Sequence, residues 1–571
     1  MNEKKVSESK NQESHFRNIL ENVVRNPVIC LSLIGFAGAI IRFYYFPYDI
    51  PITLDALSYF WYAMDMSVLG HFPQNYDFPN NGWPSFLSIF FFFYKSENFL
   101  EYMEVQRYLS VIISILTIIP VYLLCKRFFN HYYSLMGSAL FVLEPRIIQN
   151  SFFGITEPFY IILGSTALFL FLSRKISSIY AAFGISALFT LVRYEGILLV
   201  IVFSIMFFLR FKISKKTLLQ FGLALFIFVI ILLPMLVIRM ETSYVGQDGV
   251  MSHTILAGPP DYYKNVLQNN GIDQLTGMFY KATIYFFQYL GWVMIPFFIF
   301  IPYGVFMIFR KQDYEKTTII VCSIAFLLPA LYVYSRGIQE TRYFYIMYPI
   351  FAILSLFFLK KINEKFQRSK IIGLLTISFL LFSSILFLYN KDLDYEHERE
   401  AFKISEQISQ LAEGVNKYYP ESEYLEVSKL STKKFPIQNF AISSLYCTSR
   451  LLEECNDAEL KRLKENPEIQ FVAERPGPKT FSTNDYNSII DFIKSNKEKG
   501  LTHLVLDGRD DRKEFLNHIF FNEEEYPYLI KEFDSNEHGF RYHVKLYKIN
   551  YEKFDSIMNS KINQFDLWDA S

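Results

Sequence analysis

The chemistry-bearing residues of this 571-residue chain gather where apolar runs break off. Asp55 follows the first such run, in Leu54-Asp55-Ala56-Leu57-Ser58-Tyr59. A carboxylate there can take the proton of an attacking hydroxyl; the same position suits a helix cap. Glu144-Pro145-Arg146 and Thr156-Glu157-Pro158 place two acids and an arginine in one short loop. Such a set can bind a cation, orient an acceptor or hold a phosphate; it can also cap helices and pair internally. Arg193-Tyr194-Glu195, Arg336-Gly337 and Thr341-Arg342-Tyr343 add three arginines. The planar guanidinium stays charged and matches phosphate oxygens. Each arginine alone suits interfacial anchoring, but three on one side suit an anion site. Trp83 precedes the aromatic run Phe86–Tyr94, which could lie in the interface and cover a lipid tail. There is no His-Glu-x-x-His, Gly-x-Ser-x-Gly, P-loop or Rossmann fingerprint.

These residues need elements to position them. The chain is 51% hydrophobic and 18% aromatic, with only 20% charged. Soluble domains carry roughly 25% charge with dispersed apolar residues, so a single soluble globule is excluded, as is disorder. Eleven apolar runs are long enough to suggest spans: 27–46, 105–124, 131–145, 157–173, 177–192, 195–209, 217–238, 284–309, 317–334, 343–359 and 371–389. With the N-terminus inside, the inner segments hold 21 Lys and Arg and the outer ones 9, which fits the positive-inside rule. Acids show the opposite bias, with Asp55, Glu144, Glu157, Glu195 and Glu340 all on the outer side. The spans between 131 and 209 are short. Their outer ends would stop below the membrane surface, where charges are tolerated only in a protein-lined, watered cavity.

The net charge of zero hides an asymmetry, +9 over residues 1–390 and −9 over 391–571. The expected fold class is therefore an α-helical polytopic membrane protein of about 11 transmembrane helices with a small α/β extracytoplasmic C-terminal domain. Residues 1–26 would be a polar cytoplasmic N-terminus, 27–389 the membrane domain and 390–571 the outer domain. In the last part a polar helix over about 396–417 precedes strand-like runs at 423–427, 469–473, 502–507 and 541–549 and helical patterns at 485–497 and 511–520. The five cysteines form no Cys-x-x-Cys pair, and Cys447 and Cys455 could join in a disulfide outside the cytoplasm. No internal repeat or nucleic-acid patch is visible.

Taken in order, Asp55 in the first outer loop, Thr156-Glu157-Pro158, Leu191-Val192-Arg193-Tyr194-Glu195-Gly196 and Thr341-Arg342-Tyr343 before Pro349 resemble the GT-C membrane glycosyltransferases. The likeness is to the branch of the dolichyl-phosphate-mannose protein mannosyltransferases and aminoarabinose transferases, with a tail like that of archaeal members. It spans roughly residues 27–390. The resemblance implies an integral plasma-membrane enzyme. It would move a sugar, with inversion, from a polyprenyl-phosphate (dolichyl-phosphate) donor to a hydroxyl on a protein, glycan or lipid. Asp55 and Glu157 would be catalytic. Arg193, Arg336 and Arg342 would lie near the donor phosphate, and Tyr59, Trp83, Glu144, Arg146 and Tyr343 would line the substrate site. No cofactor would be required; a divalent metal (Mg or Mn) is an open alternative. Glu144-Pro145-Arg146 stands where an acid-x-acid metal pair would be, and the oligosaccharyltransferases' Trp-Trp-Asp-Tyr-Gly run is absent. A transporter or lipid flippase and en bloc oligosaccharide transfer are the other readings.

Overall fold

The computed structural model describes residues 26–52, 55–72, 81–94, 96, 99–242, 271–310, 312–335, 338–367, 369–411, 418–420, 479–481, 486–499, 501–507 and 513–566. Helix α1 (Pro27–Tyr44) starts at Asn26, whose side chain accepts from the Val28 N–H at 3.0 Å. Pro27 sits in the first turn, where a missing N–H costs nothing. The stretch after it folds into α2 (Asp55–Leu69) and α3 (Gly82–Phe93). Then come α4 (Phe99–Leu116), α5 (Ile118–Cys125), α6 (His131–Val142), α7 (Pro145–Ser151), α8 (Glu157–Phe171), α9 (Ile176–Val192), α10 (Gly196–Arg210) and α11 (Lys215–Thr242).

Among the described residues, six helical stretches are long and apolar enough to cross a bilayer: Pro27–Tyr44, Leu100–Cys125, Lys215–Val237, Tyr314–Ser335, Thr341–Phe366 and Ile371–Lys391. Shorter apolar helices, among them α3, α8, α9 and α10, accompany them. The chain is a polytopic helical membrane protein. Its outward faces are apolar, with Leu219 at 76% and Ile205 at 53% exposure, as a lipid-facing surface requires.

Three elements differ from the sequence-based expectation. The run 284–309 is not one helix. It divides into α12 (Gly271–Met294) and α13 (Phe300–Arg310) around a 3-10 turn, Ile295–Phe297. Pro296 lacks the N–H that would continue the ladder. The connection between α6 and α8 carries the unforeseen helix α7. After α14 (Tyr314–Ser335) and α15 (Tyr348–Phe366), the last span and the polar helix after it form one helix, α16 (Ser369–Leu411). Beyond Gly373 that stretch has neither glycine nor proline to break it, so it runs through the expected domain boundary at 389/390.

The membrane core is aromatic and interdigitated. Phe171 of α8 and Phe203 of α10 stack at 4.0 Å between centroids, 3° from parallel. Gly304 lets α13 lie directly against the Leu354 backbone of α15, where any side chain would collide.

The C-terminal part holds a short parallel pair, β1 (Tyr418–Pro420) and β2 (Lys479–Phe481), and α17 (Ile489–Lys497). Then follow β3 (His503–Asp507), α18 (Glu514–Phe521), β4 (Leu529–Asp534), β5 (Val544–Ile549) and α19 (Tyr551–Asp566). The last three strands form an antiparallel sheet in the order β3-β5-β4. Its two faces follow the period of two along each strand. Leu504, Leu506, Tyr547 and Ile549 pack on Phe492, Ile519 and Phe554 of α17, α18 and α19. Val505, Phe533, Val544 and Leu546 pack with Phe402, Ile404 and Ile408 of α16. That same cluster takes in Phe46, Ile50, Val111 and Phe152 from one end of the membrane part. Glu400 of α16 also accepts from the backbone N–H groups of Arg541 and Tyr542. Strands expected at 423–427 and 469–473, and both Cys447 and Cys455, lie outside the described residues.

Glu523 is the polar hub of this sheet. It accepts from Tyr547 Oη at 2.7 Å, Lys545 Nζ at 3.1 Å and Lys531 Nζ at 3.1 Å. Burial raises its proton affinity, but these hydrogen bonds outweigh burial and bring its pKa down to about 2. A carboxyl depressed in the folded state stabilises fully above its unfolded value of about 4.3 and loses that contribution as pH falls toward the folded value. The protection of the β4 and β5 amides of the full chain, measured as exchange relative to the intrinsic rate at each pH, is therefore expected to fall between about pH 5 and pH 2, and Glu523→Gln is expected to flatten that dependence.

Candidate active site

Four of the sequence-selected residues meet at one end of the membrane helices. Asp55 opens α2 and is 40% exposed; its Oδ2 lies 2.7 Å from Arg342 Nη1. Glu157 opens α8 and its side chain is fully buried. Glu157 Oε1 receives Arg193 Nη1 at 3.0 Å and lies 4.0 Å from Arg342 Nε. Arg193 caps α9 with an extended backbone (φ −148°, ψ 122°), which swings its side chain off the helix axis. Arg342 belongs to the 3-10 segment Thr341–Met347 that leads into α15.

Two acids and one aromatic residue that sequence reasoning did not assign to the site complete it. Glu195 Oε1 accepts from Arg193 Nε at 3.1 Å and Nη2 at 2.6 Å. Glu340 pairs with Arg342. The Arg193 guanidinium lies 5.1 Å from the Tyr160 ring and 5.6 Å from the Tyr343 ring, a cation held between aromatic faces. Arg342 lies 5.7 Å from Tyr343. Tyr160 could have been found from spacing, since it is three residues after Glu157 on the same helix face. The described site thus holds four carboxylates against two guanidiniums. Beside it a small cavity is walled by Phe189, Phe326, Pro329 and Ile346, with Arg193 and Glu195 at its polar end. Glu195 Oε2 is buried there and has no hydrogen-bond partner among the described residues.

The remaining expected site residues are placed differently. Glu144 is fully buried and caps α7, its Oε2 accepting from the Ile147 N–H at 2.8 Å. Arg146 pairs with it at 3.9 Å and packs over Phe387. Pro145 at the first helical position makes this stretch a helix start, so its charges serve the cap. Trp83 is completely buried and donates from Nε1 to the Gly154 carbonyl at 3.0 Å, which fixes a loop. Tyr59 is the exception: buried where α2, α3 and α4 pack, it lies within electrostatic reach of Arg193, Asp55, Glu157 and Arg342, at the edge of the site. Arg336 lies outside the described residues.

Two polar residues inside the apolar helix α4 hold the site's loops. Gln106 Nε2 donates to the Ala56 carbonyl at 3.0 Å and the Gly154 carbonyl at 2.7 Å, tying the start of α2 to the loop before Glu157. Arg107 donates to Phe152 O at 2.9 Å, to Pro51 O at 3.1 Å and to Ile50 O. Buried charge in a span is affordable because these carbonyls satisfy it. Gly154 has φ +69°, and a Cβ there would lie 3.1 Å from Gln106 Cγ. Gly154→Ala is expected to cost about 1–2 kcal/mol from the left-handed backbone alone. It should lower both melting temperature and activity by displacing Glu157.

These residues do not fit a resident divalent ion as arranged. Asp55, Glu157 and Glu340 each face a guanidinium, and Arg146 stands next to Glu144. Among the described residues no three His, Cys, Asp or Glu side chains are grouped to hold a metal.

The architecture is a bundle of membrane helices with a small sheet domain. It is similar to the crystal structure of ArnT from Cupriavidus metallidurans bound to undecaprenyl phosphate, with a TM-score of 0.53, 10% identity, and 90% of this chain and 97% of that chain covered. The apo state of that protein gives a TM-score of 0.52, also at 10% identity, with 90% and 97% covered. The apo oligosaccharyltransferase of Archaeoglobus fulgidus is less similar, with a TM-score of 0.45 and 12% identity over 84% of this chain and 69% of that one. By sequence, no protein family and no curated protein matches the chain.

Proposed function

We propose that this protein transfers a sugar from a polyprenyl-phosphate donor to an acceptor hydroxyl at the outer membrane face. The N-terminus would be cytoplasmic and the sheet domain outside. The observation that carries the reading is the convergence of Asp55, Glu157, Arg193 and Arg342, distant in sequence, on one end of the helices. A small, mostly apolar cavity lies beside it.

Asp55, the exposed acid, takes the proton of the acceptor hydroxyl. The acceptor oxygen bonds to the anomeric carbon from the face opposite the phosphate, and the bond from that carbon to the phosphate oxygen breaks. The configuration inverts, and the polyprenyl phosphate leaves with one added negative charge. Arg342 stabilises that charge. Arg193 is a positioning residue: bound by Glu157 and Glu195 and flanked by two tyrosines, it fixes Glu157, which in turn orients Arg342. The outer domain, joined through α16, would orient the acceptor.

The same bond changes serve a donor carrying one sugar or a preassembled oligosaccharide. The test is therefore incubation of membranes containing the protein with radiolabelled polyprenyl-phosphate monosaccharide and, separately, polyprenyl-linked oligosaccharide. Label moving to a non-lipid or second-lipid acceptor with either donor supports transfer and identifies the donor class. Label that crosses the membrane still on its original lipid would replace this reading with a flippase.

A further inference from the structure

The end of the bundle opposite Asp55 holds a second gathering of charge. Helix α8 starts at Glu157 and ends at Phe171, about 22 Å away at 1.5 Å per residue. There the turns after α5 and α8 carry Arg127 and Arg174, α10 ends on Arg210, and α14 starts with Tyr314 and Glu315. Glu315 lies within electrostatic reach of all three arginines, yet none of them closes to an ion pair with it among the described residues. Asp313 is also in reach, but it pairs with Lys316 at 3.8 Å. Positive charge therefore exceeds negative charge where these helix ends meet.

The arginines differ in what occupies them. Arg210 serves the fold: its Nη1 donates to the Ser173 carbonyl at 2.7 Å, which fixes the turn carrying Arg174, and its guanidinium lies 5.0 Å from the Tyr314 ring. Arg127 rests 5.1 Å from the Phe169 ring, and its Nε is a buried donor with no hydrogen-bond partner among the described residues. A buried donor left unmade is costly, and Arg174 in the next turn is exposed. Interfacial anchoring explains a lone arginine at a helix end. It does not explain three around one acid, one of them with a buried donor unmet.

We infer that this end binds the phosphodiester headgroup of an anionic phospholipid, held by Arg127 and Arg174. The planar fork of a guanidinium suits the two unesterified oxygens, and basic pockets between membrane helices hold such headgroups. The neighbouring surface favours a lipid over a free phosphate. Leu209 and Ile213, on either side of Arg210 in the chain, are 69% and 76% exposed, so an apolar wall for acyl chains adjoins the charge. The site goes beyond the transfer reading and holds whatever reaction the Asp55 end performs.

The experiment measures binding of short-chain phosphatidylglycerol to the purified full-length protein in detergent by microscale thermophoresis. Phosphatidylcholine with the same tails and inorganic phosphate are the separate probes. Phosphatidylglycerol is expected to bind saturably, and both other probes at least about tenfold more weakly, one lacking the net charge and the other the apolar tails. Arg127→Gln and Arg174→Gln are each expected to weaken phosphatidylglycerol about fivefold, the contribution of one basic side chain beside an anionic headgroup. Arg174 is exposed, so Arg174→Gln should keep the wild-type melting temperature and read binding alone. Lys212→Gln with Lys216→Gln removes two exposed charges from the same end and is expected to change affinity by less than about twofold, because solvent and salt screen them. Unchanged affinity in both arginine variants would overturn the site. Equal loss from the lysine pair would do so too, by showing a diffuse basic surface. Inorganic phosphate binding as tightly as phosphatidylglycerol would overturn the lipid as its ligand.

Discussion

Arg193→Ala is expected to abolish transfer and to destabilise the protein. The guanidinium is the direct partner of Glu157, which has no exposed surface, and it bridges to Glu195 at 2.6 Å while lying between two tyrosine rings. Removing it strands a buried carboxylate, a change that costs about 3–5 kcal/mol where one partner of a buried pair is deleted. Arg193→Lys would be a poor replacement, since an ammonium cannot reach two acids with a planar fork or stack between rings. The melting temperature in detergent reads the first effect and labelled-sugar transfer the second. The pair Arg193→Ala with Glu157→Gln separates them. Neutralising the stranded acid is expected to restore much of the stability and none of the activity. Restored activity would show that Arg193 matters for folding alone.

Asp55→Asn is expected to lower transfer by about a hundred- to ten-thousandfold, the usual contribution of a positioned base. It should leave the fold intact. Asp55 is 40% exposed and its pair with Arg342 is partly solvated, so the loss of stability should stay within about 1 kcal/mol. The contrast with Arg193 is the informative part: the proposal has one acid act on substrate at the surface of the site and one arginine hold its floor. Wild-type-like turnover from well-folded Asp55→Asn would remove Asp55 from the base role.

Much of the site was visible in the sequence because charge at the end of an apolar run is expensive and therefore conspicuous. Asp55, Glu157, Arg193, Arg342 and Tyr343 stand out on that ground, and the structure places them together or in contact with one another. Spacing could not say which partner each would find. Glu195 and Glu340 lie two residues from the arginines they bind and read only as outer-side acids. Glu144 and Arg146 carry the same charges as their neighbours, yet Pro145 turns them into a helix cap. Gln106 and Arg107 were hidden because their role depends on carbonyls of distant loops, Ala56, Gly154, Phe152 and Pro51.

The fold shows the same division. Apolar period and proline positions mark most helix ends, but nothing local announces that α16 continues past the membrane. Strand β4 escaped notice because its register shifts between Lys531 and Phe533, which breaks the alternation that identified β3 and β5.

The most direct measurement of the central claim is a cryo-electron microscopy map of the full-length protein with undecaprenyl phosphate. The phosphate is expected within hydrogen-bond distance of Arg342, on the side of the site that Asp55 faces. A phosphate seated elsewhere, out of reach of Arg342, would contradict the account.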